Sequence, residues 1–131
     1  MGTAFRLNNG SVSNVVVDCT VNTDVGDYVY ISATGIADLA DASHKTKMPC
    51  IGYVINKPEV NKAEIVSFYI EKELSNILNK KNYFISDTVA GAIQDNQPNG
   101  KNSVSQVVAV GIGTNSILIN IDPDSAVINN N

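Results

Sequence analysis

The chain has 131 residues, 44% of them apolar and 17% charged, with a net charge of −4 at neutral pH and no tryptophan. That length suits one compact domain able to bury a core without disulfide or metal staples. The acidic balance excludes a nucleic-acid surface: phosphate contacts need clustered Lys and Arg, and the cations here are scattered, with Lys45 and Lys47 flanking Thr46 and Lys80 beside Lys81.

In chain order, residues 1–14 are polar and weakly patterned and read as an N-terminal arm, in which Phe5, Arg6 and Leu7 are the candidate anchors. Apolar and polar alternation with β-branched and aromatic enrichment predicts strands over 15–21, 28–32, 36–39, 50–55, 63–70, 83–86, 92–94, 105–111 and 117–121. Turn residues separate them at 34–35, 57–58, 98–100 and 113–115. So many short strands predict a mainly β fold, a small β-sandwich or β-barrel. One short helix is expected over 71–80, EKELSNILNK, where Leu74, Ile77 and Leu78 share a helical face. It is too short to stand without docking, and the alternative is an extended loop carrying two buried leucines. Asp122, Pro123 and Asp124 stop the last strand. The expected organisation is an arm (1–14), a single β-domain (15–122) and a C-terminal tail (123–131).

Within that domain the order of parts repeats. Val29, Tyr30, Ile31 and Ser32 answer to Tyr83, Phe84, Ile85 and Ser86; Gly35 answers to Gly91; Ile51 and Gly52 answer to Val110 and Gly111. The β-domain is therefore read as two related halves, about 24–70 and 80–121. The seventeen asparagines suit turns, and drift in an A- and T-rich genome would enrich them equally.

The residues offer little chemistry. Cys19 and Cys50 lie in apolar runs and match no metal or redox spacing, which reads as two buried small hydrophobes. The only histidine, His44, sits in a loop between Ser43 and Lys45 with no nucleophile motif nearby. Asp24 and Asp27 flank Gly26 in a turn-like setting, with side chains expected to bond local backbone N–H groups. No acidic run follows a calcium-loop spacing. Gly111 to Gly113 lacks the third glycine and the βαβ setting of a dinucleotide loop. The expectation is no catalytic residue, no cofactor and no metal. The N-terminus lacks an apolar signal run of about 7 to 15 residues and no stretch reaches the ~20 apolar residues of a membrane span, so a soluble chain made in a cytoplasm is expected.

The string GDYVYISATGIADLADASHKTKMPCIGYV, followed by FYI, YFISDTVAGAI, VVAVGIG and a closing LINI, resembles the small β-domains of tailed-bacteriophage virion proteins. These occur in head decoration (cement) proteins and in head-fibre or tail-fibre modules. The resemblance spans about 24–122. It implies a structural role without enzymatic activity, commonly as a homotrimer, with the major capsid protein and other virion proteins as partners. It places the chain on the capsid surface of a virion after synthesis in the host cytoplasm. A chain without shaft repeats favours decoration and capsid stabilisation over a long fibre. A trimer at a threefold junction would tie shell subunits by multivalent contact, with Phe5, Arg6 and Leu7 of the arm gripping the shell as an added strand. A second expectation is a receptor-binding module whose loops 40–47 and 94–102 contact the host surface. A third is a carboxylate-dependent hydrolase of cell-envelope polymers using Asp38, Asp41 or Asp95.

Overall fold

The computed structural model describes residues 14–130. The candidate anchors Phe5, Arg6 and Leu7 lie outside the described residues. Among the described residues the regular structure is twelve strands and two 3₁₀ turns, Lys45–Lys47 and Pro123–Ser125. The strands are β1 (Val15–Asp18), β2 (Tyr28–Ile31), β3 (Ala37–Leu39), β4 (Gly52–Glu59), β5 (Lys62–Val66) and β6 (Phe68–Glu71), then β7 (Asn82–Ile85), β8 (Ile93–Gln94), β9 (Val104–Ser105), β10 (Val107–Ile112), β11 (Ser116–Asn120) and β12 (Val127–Ile128). They form three antiparallel sheets, ordered β1-β5-β4-β2-β3, β6-β11-β10-β7-β8 and β12-β9. None closes into a barrel.

The two five-stranded sheets share one strand order. Counting β6, β7, β8, β10 and β11 as first to fifth, both run first, fifth, fourth, second, third. The turn after the second strand is built alike in both. Ser32 N donates to Ile36 O, and Ser86 N to Ala92 O. Each serine hydroxyl lies about a hydrogen bond from the threonine two residues on, 3.0 Å to Thr34 and 3.1 Å to Thr88. Gly35 and Gly91 end these turns at φ values of 84° and 82°, a region that glycine enters without steric cost. Matching the strands at Val29 and Tyr83 corrects one sequence correspondence. Val29 faces Gly52 while Tyr83 faces Ala109, so Ala109 and not Gly111 occupies the place of Gly52. The offset is two residues, which keeps every side chain on its face.

The expected helix over 71–80 does not form. Glu73, Asn76 and Lys80 have φ values of 62°, 63° and 65°, which a right-handed helix excludes. The segment spends its N–H groups on the β10–β11 hairpin: Leu74 N donates to Asn115 O, Ile77 N to Thr114 O and Lys80 N to Gly111 O. Leu74 and Ile77 pack on the core, while Leu78 is exposed. The predicted strand 63–70 is likewise two strands, because the chain crosses from the first sheet to the second at Ser67. The C-terminal residues are laid against the body rather than free. After a 3₁₀ turn at Pro123–Ser125, β12 pairs with β9, and the Asn129 amide donates to Pro98 O at 2.9 Å and Ser103 Oγ at 2.8 Å.

The core falls into two clusters. The first sheet buries residues on both faces. Val29, Val54, Ala63 and Ile65 form one cluster with Cys19 and Ala37, while Tyr28, Tyr30, Tyr53 and Val66 join Tyr83, Ile85, Val108, Ile117 and Ile119 in the other. The first sheet bends until its edges touch at one point, a single parallel bridge between Cys19 and Ala37. In the second sheet the 72–81 loop crosses over Gly111, where an added Cβ would fall 2.0 Å from Leu78 O. Gly111→Ala must therefore lift the loop, and a loss of about 3 kcal/mol is expected in urea unfolding; an unchanged midpoint would refute the close approach.

Candidate functional site

The loop carrying His44 places Asp, Ser and His together. Ser43 Oγ donates to Asp41 Oδ1 at 2.6 Å and lies 2.9 Å from His44 Nδ1, and Asp41 Oδ2 is 3.4 Å from the same nitrogen. A nucleophile triad needs acid and hydroxyl on opposite ring nitrogens, with the hydroxyl proton passed to the ring. Here both meet Nδ1, and the hydroxyl proton goes to the acid. Ser43 N also donates to Asp41 Oδ1, which makes the group a turn cap. Burial works against the Asp41 charge, yet the bonds from the Ser43 hydroxyl and N–H and the neighbouring His44 outweigh it, so its carboxyl lies below the usual range.

The other acids are used in the same way. Asp24 Oδ1 accepts from Val25 N and Asp27 Oδ2 from Asp24 N, both at 2.8 Å, as the turn reading expects. Burial pushes the Asp27 carboxyl up, against the bond from Asp24 N. Asp38 Oδ1 accepts from Thr20 Oγ1 at 3.0 Å and from Leu39 N at 2.8 Å. Asp122 Oδ1 accepts from Asp124 N at 3.0 Å. Asp95 lines a shallow groove with Lys80, Lys81 and Phe84. Asp38, Asp41 and Asp95 are thus held in three separate local arrangements. Among the described residues no three His, Cys, Asp or Glu side chains gather around a common metal position, and no helix is long and apolar enough to cross a membrane.

Both cysteines are buried and unpaired. Burial pushes the Cys50 thiol up to about 12, partly offset by backbone hydrogen bonds involving Gly52 and Val29. The thiolate is the reactive form, so a thiol reagent at pH 8 should label neither cysteine in the native protein and both after unfolding. Rapid labelling of the folded chain would contradict the burial.

A feature not visible in the sequence is a cleft of about 330 Å³ between the two five-stranded sheets. Tyr28 and Tyr53 form one wall, Leu74, Ile77 and Ile117 the other, with Glu71 at its side. The two tyrosine rings tilt against each other with centroids 4.8 Å apart. Tyr53 OH donates to Glu71 Oε1 at 2.9 Å. The buried Tyr28 hydroxyl finds no partner among the described residues. Burial raises both phenols, followed by the charge of Tyr53 for Tyr28 and by the Glu71 bond for Tyr53. An unsatisfied buried hydroxyl costs about 1–3 kcal/mol, whereas a satisfied one contributes about 1 kcal/mol. Tyr28→Phe should therefore leave thermal stability unchanged or raised, and Tyr53→Phe should lower it by about 1 kcal/mol; the reverse ranking in a thermal melt would refute this assignment.

No protein-family model, no curated protein and no solved structure matches the chain.

Proposed function

We propose that the chain is a non-enzymatic structural protein of a phage virion, which decorates and stabilises the capsid by binding the shell lattice as a homo-oligomer. The observation that carries this reading is how the ionisable groups are used. Asp24, Asp27, Asp38, Asp41 and Asp122 each bond a backbone N–H within three residues, so they fix turns and do not converge on a reacting group. Such a frame is rigid in its strands and offers surface for binding. The core cluster shared by the two five-stranded sheets supports reading them as a small β-sandwich. The sequence resemblance supplies the setting, a shell of repeated subunits in which many weak contacts add up. In this reading Phe5, Arg6 and Leu7 form the grip on the shell, two apolar anchors around a cation in an otherwise polar segment.

Deleting residues 1–10 should abolish binding to particles that lack the protein, while the circular dichroism of the β body stays unchanged. Undiminished occupancy of the truncated chain on purified particles would refute the grip. Density confined to a tail or fibre in a particle reconstruction would favour the receptor-binding reading over decoration.

A further inference from the structure

The outward face of the second sheet is largely apolar, and no described residue covers it. Across its strands Ile70 of β6 stands opposite Leu118 of β11, Leu118 opposite Val110 of β10, and Val110 opposite Asn82 of β7. Phe68 opposite Asn120 and Val107 opposite Phe84 extend the same face. Phe68, Ile70, Ile112 and Val107 are 52%, 46%, 45% and 36% exposed. Val107, Val110 and Leu118 line a depression of about 200 Å³ on this face. Monomeric proteins rarely expose contiguous apolar patches beyond a few hundred Å².

The equivalent row of the first sheet is buried. Matched at Val29 and Tyr83, the row Tyr28, Tyr53, Val66 occupies the places of Asn82, Val110, Leu118. All three members of the first row are in the core shared with the second half. This face of the frame is thus built for apposition, and in the second sheet no described residue covers it. No Asp, Glu, Lys or Arg stands on its ladder positions; those that are not apolar are Asn82, Gln94, Ser116 and Asn120. Amides and hydroxyls donate and accept at once, so each of these residues can pair with its own kind. Charge lies at the margins: Lys80, Lys81 and Asp95 beside Asn82 and Phe84, and the exposed Lys72 just past the end of β6. The sheet ends on β6, whose one charged residue, Glu71, accepts from Tyr53 OH on the inner side.

We propose that a second copy of this chain covers this face. Two copies, each of net charge −4, repel at most orientations, but they meet here through a patch that is uncharged and self-matching. A charged partner would find nothing on it to recognise. This assigns a face to the homo-oligomer of the proposed function and holds with or without a shell.

The test is sedimentation velocity on the full chain over a range of concentrations, comparing wild type with Val110→Lys and Leu118→Glu. Wild type should sediment as more than one copy, and each variant should weaken association about 100-fold. Val60→Lys, at an exposed position between β4 and β5, should behave as wild type. Hydrogen exchange of the wild type gives a reading that needs no variant: β6 and β11 amides should gain protection as concentration rises. A wild type that sediments as single copies throughout, variants that associate as wild type does, or equal loss in Val60→Lys would overturn the proposal. Exchange in β6 and β11 independent of concentration would overturn it as well.

Discussion

The joining of the two halves turns on one buried amide, that of Gln106. Its Oε1 accepts from Cys50 N at 2.8 Å, and its Nε2 donates to Cys50 O at 3.0 Å and to Asp122 O at 3.3 Å. One side chain therefore satisfies both backbone groups of a residue in the first half and reaches the segment beyond β11. Each such bond yields only about 1 kcal/mol net, but a buried group left without it costs more, so the amide acts chiefly by making the alternative packings expensive. Gln106 also sits where the chain leaves β9 and enters β10, beside the register shift between Val107 and Ala109. With its side chain fixed inward, Ser105 falls into the small sheet with β12 and Val107 turns to the outward face of the large one. The placement of the C-terminal residues and of the apolar face both descend from this point.

Around that joint the same frame is used in two ways. The first sheet curls onto its own small core and touches edge to edge at Cys19 and Ala37. Its other face, rich in tyrosine, packs toward the second half. The second sheet has no such bridge among the described residues, and its inner face is roofed by the 72–81 loop, with Leu74 and Ile77 packed inward. The cleft lined by Tyr28 and Tyr53 marks where the outer face of one frame meets the inner side of the other.

Much of the fold was legible because its signals are local. Alternation located most of the strands, the paired Ser and Gly positions marked equivalent turns, and the acids of 24–27 bonded as their spacing implies. The reading failed where a long-range partner decided the outcome. Leu74, Ile77 and Leu78 have helical spacing, yet the carbonyls of Gly111, Thr114 and Asn115 drew the backbone N–H groups of the segment into a loop. Gln106 looks like any polar residue inside a strand until Cys50 is brought beside it, fifty-six positions away in the chain. Asn129 belonged to a run that composition alone could explain, and its amide proves to hold the last strand. The outward face did leave a trace: Phe68, Tyr69 and Ile70 are apolar on both sides of a strand, a pattern that ordinarily means burial on both sides. Alternation says which residues share a face, but not whether anything covers it.

The difference between the two frames bears on how sequence variation in this chain should be interpreted. Tyr53 and Val110 hold corresponding places, but one lies in the core shared by the two halves and the other on an open face. A polar replacement at the first burdens folding of every molecule. The same replacement at the second falls on a face that no described residue covers. If copies meet on that face as proposed, selection can retune their contacts through one half of the chain, while the other half holds the fold constant beneath it.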